Sequence, residues 1–163
     1  MGEITAPVLS VKQPWATAIA LGCKDVENRS YKTLYRGLVF IHATMTASKI
    51  DPFETQPNGN PLREFNPFAP MPEGVDRGSI GDHVNSILTV EKYKKLSWIH
   101  PYQLSAIIGV AEIYDCVLNH DSEWSMDGFN HWLIRNARPC KAIPWKGTQG
   151  FRFNTRKTLD VTW

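Results

Sequence analysis

Cysteine is scarce in this chain. Cys23, Cys116 and Cys140 are widely spaced, odd in number and form no Cys-x-x-Cys pair. That excludes a disulfide framework and gives no zinc-ligand spacing, so a reduced compartment is expected and neither a metal nor a cofactor is implied. Long apolar runs are missing as well. None approaches the roughly 20 residues needed to cross a bilayer, and Met1–Ser10 lacks the basic start and apolar run of a signal peptide. A cytoplasmic protein without a membrane partner is the expectation. Charge of one sign is also short, since 18 Lys and Arg against 16 Asp and Glu leave a net charge of +2. Such a balance does not by itself predict nucleic-acid binding; a local basic patch would have to supply it. Internal repeats and low-complexity segments are absent too.

A chain of 163 residues with 42% hydrophobic and 21% charged content is ordinary for a globular protein. Its length suits one domain over 1–163 with room for a core, and a monomer is expected. The densest information lies in Leu9–Ala43. Val8–Val11 reads as a short strand. Pro14 suits a first helical turn, where its missing N–H has no partner to lose. Gly22 suits the end of that helix, which is predicted over 14–21. Lys24–Ser30 follows with alternating charges. As a strand it places Asp25, Glu27 and Arg29 on one face, with residues two apart separated by roughly 6.5–7 Å. Leu38–Ile41 is apolar on both faces and predicts a central buried strand ended by His42.

The middle of the chain changes character. Six of the eleven prolines fall in 51–80, which predicts a long surface excursion. A helix is predicted over 83–98, another start over 44–50, and 51–103 as an insertion within the domain. Ala106–Val117 predicts a long strand in which Gly109 marks a bulge or a close backbone approach. Glu112 on that strand calls for a partner or a place near its end. Asn119–Trp124 is a polar loop that could line a cleft. Short strands are predicted at 132–134, 141–143 and 151–153. Many short strands with Gly and Pro punctuation and few helices predict an α+β fold built on a small β-barrel.

Three groups of residues carry a resemblance. They are Lys12-Gln13-Pro14-Trp15, then Gly22-x-Lys24-x-x-Glu27-x-Arg29, then Tyr35-Arg36-Gly37 ahead of the strand ending Ile41-His42-Ala43. Together they resemble the ASCH domain (activating signal cointegrator homology), a branch of the PUA-like superfamily. The likeness continues in Ile107–Ile113 and Pro144–Phe151 and omits the middle. It implies a PUA-like small β-barrel flanked by short helices, with a cleft where Gly22–Arg29 meets the first helix. It also implies a nucleic-acid-binding module for single-stranded RNA, or for a nucleotide or nucleoside. The residues expected to line the cleft are Lys12, Trp15, Lys24, Glu27, Arg29, Tyr31, Lys32, Arg36, Trp145 and Lys146, with Tyr35 and Trp124 as further aromatics. Cations hold phosphates and aromatic faces stack on unpaired bases.

The alternative from the same resemblance is a hydrolase, with Lys24 and Glu27 as catalytic residues. Some bacterial ASCH proteins remove the acyl group from N4-acetylcytidine with a lysine matching Lys24 and a threonine nucleophile. Here Glu27 stands at the threonine position, and a carboxylate cannot replace a hydroxyl nucleophile, though it can activate water. Glu123 is the nearest candidate for the later glutamate of those enzymes. Another member cleaves single-stranded RNA, which would suit Lys24, Glu27 and Arg29 with His42 or His120.

Overall fold

The computed structural model describes residues 2–13, 15–22, 24–45, 103–122, 124–147, 151 and 155–163. The expected helices at 44–50 and 83–98 and the 51–103 insertion lie wholly or almost wholly outside these residues; Thr44 and Met45 are not helical. In order, the elements are β1 (Gly2–Val11), α1 (Trp15–Ala20), β2 (Val26–Arg29), β3 (Gly37–Ala43), β4 (Ala106–Val117), β5 (Asn130–Pro144) and β6 (Arg156–Val161). The strands form one sheet in the order β2-β5-β4-β3-β1-β6.

β3 occupies the middle of the sheet and Val39–Ala43 are all buried, but Leu38, expected to be buried with them, is 45% exposed at the start of the strand. Period-two alternation divides it between two cores. Val39 and Ile41 join Leu9, Val11, Ile19, Ile113 and Trp132 on one face. Phe40 joins Ala6, Ile107, Val110, Cys140 and Val161 on the other. α1 lies on the first of these faces, burying Ala16, Ile19 and Ala20 against it. A satellite cluster of Ala18, Leu21, Val26, Trp124 and Leu133 extends that core toward β2.

The barrel expectation needs correction. The sheet is open, with β2 and β6 as its edges. β2 has four residues and pairs only with residues 130–133 of β5, and among the described residues no ladder joins the edge strand β2 to the edge strand β6. The sheet does curl. Past the end of β6, the Thr162 carbonyl accepts the Lys141 N–H of β5 at 2.8 Å, and this contact stops short of a closed ladder.

Three strand boundaries also differ from expectation. β1 begins at Gly2 rather than Val8, because its first half pairs antiparallel with β6 and its second half parallel with β3. The switch falls between Pro7 and Val8. The two short strands expected around Arg135–Pro139 are one strand of 15 residues. Its register against β4 slips at three places, and Asn136 takes a left-handed φ of 52°. Glu112 finds its partners there, with Arg135 Nε at 3.0 Å, Arg135 Nη2 at 2.9 Å and Asn136 Nδ2 at 2.8 Å. Those contacts hold the Glu112 carboxyl below its ordinary range. β6 at 156–161 lies outside the expected strands; of the strand expected at 151–153, Phe151 alone is described, and it is not in a strand.

Gly109 meets its expectation on both counts. It lies at a register slip opposite Pro139, where a ring without an N–H is tolerated. A Cβ there would sit 2.9 Å from both Ala20 Cβ and the Arg138 carbonyl oxygen. Gly109→Ala must therefore push α1 off the sheet or break the β4–β5 pairing. A loss of about 1–3 kcal/mol in urea unfolding is expected; a loss within error of zero would show that the helix can slide at no cost.

Candidate functional site

The site is built where α1 hands the chain to β2. The helix ends as its sequence requires: Leu21 N–H reaches Thr17 O at 2.9 Å and Gly22 N–H reaches Ile19 O at 2.9 Å. Gly22 adopts φ +78°, a conformation that costs glycine little. The turn is then tied back, with Lys24 N–H on the Ala18 carbonyl at 3.1 Å. Lys24 thus leaves the turn inward and is only 5% exposed.

Its ammonium donates to the Val26 carbonyl and to Glu27 Oε2, the latter at 3.0 Å. Glu27 Oε1 takes Arg29 Nη2, also at 3.0 Å. The alternation expected of β2 therefore places Glu27 and Arg29 together, and the turn adds Lys24. Asp25 does not join them. The strand starts one residue after it, and its exposed carboxylate accepts the Ser122 hydroxyl at 2.6 Å. Two cations thus share one carboxylate, and among the described residues no second carboxylate pairs with either. A buried charge that is left uncompensated is costly unless a further group satisfies it. Arg29 Nε is buried without a hydrogen-bond partner.

Aromatic rings frame this group. Trp124 lies with its ring centre 5.9 Å from Lys24 Nζ, and Trp15 meets it edge-on at 6.2 Å. Trp132 lies 5.8 Å from the Arg29 guanidinium. Its own edge contacts are Tyr31 at 5.4 Å and Phe151 at 5.3 Å. Ring quadrupoles attract cations held near them without consuming their hydrogen bonds.

Arg29 also links the site to β1. Its Nη2 donates to the Ser10 carbonyl at 2.7 Å. The Ser10 hydroxyl is 2.9 Å from His42 Nδ1, across the parallel pairing of β1 and β3. His42 is buried, and burial holds its imidazole below the ordinary value against an opposing contribution from the Trp145 backbone. Gly147 packs close to the ring; a Cβ there would sit 2.2 Å from His42 Cε1. His42 is therefore a packed neighbour of the site, one residue behind Arg29. His120 lies in the loop after β4, 3.9 Å from the Asp121 carboxylate.

The remaining expected residues divide. Trp15 is half-buried and Tyr31 is 44% exposed, and both contact the rings of the site. Lys12, Lys32 and Lys146 are exposed. Arg36 is engaged elsewhere, with Asp115 at 2.8 Å and the carbonyls of Thr33 and Tyr35. Trp145 packs against the core of the other face, with Phe40 and Ile107. Tyr35 covers Phe151 at 5.6 Å, and burial raises its phenol above the ordinary value. Glu123 lies outside the described residues.

Trp132 and Ser10 enter the site without having been expected there. Their periodicity marks them as core and strand residues, and only strand pairing brings them to Arg29. Gln13, quoted within a motif but given no role, is fully buried. It accepts the Thr17 N–H at 3.1 Å and donates to the Gln103 carbonyl at 2.9 Å. Among the described residues no group of three metal-ligating side chains converges, and no helix is long and apolar enough to cross a membrane.

Residues 9–144 match the family model described as ASCH domain. No curated protein matches the chain.

Proposed function

Since the chain belongs to the ASCH domain family, we propose that it is a nucleic-acid-binding module that takes single-stranded RNA or a nucleotide at the Lys24–Glu27–Arg29 site. ASCH domains are generally nucleic-acid-binding, RNA-related domains. The observation that carries the finer reading is the charge of the site. The buried Lys24 and the partly buried Arg29 converge on a single carboxylate, at 3.0 Å each, beside the rings of Trp124 and Trp132. The excess positive charge suits a phosphate or an acceptor edge of a base, and the half-buried Trp15 supplies a face for stacking. Exposed Lys12, Lys32 and Lys146 extend the attraction along a strand. The reading takes the protein as cytoplasmic and monomeric.

The hydrolase alternative is weighed down by the same geometry. A lysine that acts as a base needs a free lone pair at its nitrogen, whereas Lys24 Nζ is committed as a donor to the Val26 carbonyl and to Glu27 Oε2. Glu27 itself is committed to two cations and is not free to activate water.

Fluorescence anisotropy with a labelled single-stranded RNA 12-mer tests the proposal. Affinity should exceed that for the matching duplex, and log K should fall with log salt at about −0.7 per phosphate contacted. Equal affinity for the duplex, or no dependence on salt, would remove the proposal. Consumption of acylated cytidine or of the RNA by the wild type, lost in Lys24→Ala and Glu27→Gln variants that remain folded, would establish the hydrolase instead.

A further inference from the structure

We propose that Asn28 is a positioning residue for this site, holding Trp124 over Lys24 by a two-point clamp on the loop that carries the indole. Among its described residues the loop between β4 and β5 has neither helix nor strand to place it. Trp124 is nevertheless buried, 5.9 Å from the Lys24 ammonium and edge-on to Trp15.

The tethers come from β2 and β5. Asn28 Nδ2 donates to the Trp124 carbonyl at 2.8 Å, and Asn28 Oδ1 accepts the Met126 N–H at 3.0 Å. His131, paired with Asn28 across the two strands, places Nε2 2.9 Å from the Met126 carbonyl. His131 Nδ1 is buried with no partner, so the proton belongs on Nε2, where it is donated. Both polar groups of the Met126 main chain are thereby held by one cross-strand pair. A third tether lies upstream: Ser122 Oγ donates to Asp25 Oδ1 at 2.6 Å and accepts the Trp124 N–H at 3.2 Å.

Asparagine suits the position for a chemical reason. Its amide is short and carries a donor and an acceptor on one planar group, so it meets a carbonyl and an N–H two residues apart. An aspartate would oppose an oxygen to the Trp124 carbonyl. Alternation puts Asn28 on the side of β2 that carries Val26, and Val26 and Trp124 share one apolar cluster. Asn28 thus reaches the loop while Glu27 and Arg29, its neighbours in sequence, meet each other. It acts on Lys24 only through the ring.

The binding arm of the test rests on the nucleic-acid reading above; the spectroscopic arm does not. Near-ultraviolet circular dichroism reports the fixed edge contact of Trp15 with Trp124, and the signal lost in Trp124→Phe assigns it. Asn28→Ala is expected to lose the same signal while far-ultraviolet dichroism is retained. In anisotropy with the single-stranded 12-mer it should bind about tenfold more weakly, in line with a displaced aromatic wall. In a Trp124→Ala background the same change should cost less than about twofold, because the ring through which it acts is gone. An intact near-ultraviolet signal in Asn28→Ala, or an equal loss of affinity in both backgrounds, overturns the proposal. If Asn28→Ala does not fold, Asn28→Asp keeps the Met126 acceptor, removes the Trp124 donor and is read in the same two assays. A wild type that binds no RNA defeats the reading of the site alone, and the near-ultraviolet signal then decides the clamp.

Discussion

Glu27→Ala is expected to lower folding stability by about 3–5 kcal/mol, the cost of leaving buried charge without its counterion. Glu27 is 9% exposed and Lys24 5%, so water can do little to replace the lost carboxylate. Beside the rings of Trp124 and Trp132, the deletion leaves the Lys24 ammonium with only the Val26 carbonyl as a described hydrogen-bond acceptor, and the Arg29 guanidinium with only that of Ser10. Their mutual repulsion adds to the desolvation of each. Glu27→Gln keeps the shape and one acceptor, but its NH2 must face one of the two cations, so a smaller loss of about 1–3 kcal/mol is expected. Urea unfolding followed by tryptophan emission measures both. A loss under about 1 kcal/mol in Glu27→Ala would mean that the pair behaves as a surface ion pair. The opposing effects on function are informative. Removing the carboxylate raises the excess positive charge, so the variant that remains folded should bind the single-stranded 12-mer more tightly while unfolding earlier.

Trp132→Ala should cost about 3–5 kcal/mol as well, by a different mechanism, the cavity left by a large aromatic side chain. Trp132 is fully buried and among the largest such side chains of the core. It joins three things: the central core with Val39, Ile41 and Ile113, the Arg29 guanidinium at 5.8 Å, and the Tyr31 carbonyl, which takes its indole N–H at 3.0 Å. Trp132→Phe restores most of the volume and a face for Arg29 but orphans that carbonyl. It is expected to recover all but about 1–2 kcal/mol. The comparison separates packing from hydrogen bonding. Equal losses in the two variants would place the effect in the N–H···O bond, and a negligible loss in Trp132→Ala would show that the core collapses onto the space. The Arg29 contact makes a further distinction. RNA affinity per folded molecule should fall in Trp132→Ala and largely return in Trp132→Phe.

The sequence by itself determined the local pieces of this protein. Gly22 ended the helix because only its left-handed φ lets the chain turn without a Cβ penalty. Val39–Ile41 became the buried part of a central strand because two apolar faces must both be covered, while Leu38 at its start stayed exposed. Glu27 and Arg29 met because residues two apart on a strand share a side. Gly109 marked a close approach because nothing larger fits between Ala20 and Arg138. Tertiary structure alone decided what crosses the chain. Pairing of β2 with β5 brought Asn28 and His131, 103 residues apart in sequence, onto the main chain of one residue, Met126. Pairing of β1 with β3 set Ser10 beside His42 and offered its carbonyl to Arg29. Whether the sheet closes was also settled at that level, since it depends on whether the edge strands β2 and β6 meet and not on the number of strands. Local preference acts over one turn or one strand. Register, and with it the company a buried charge keeps, is fixed only when distant segments compete for the same edge.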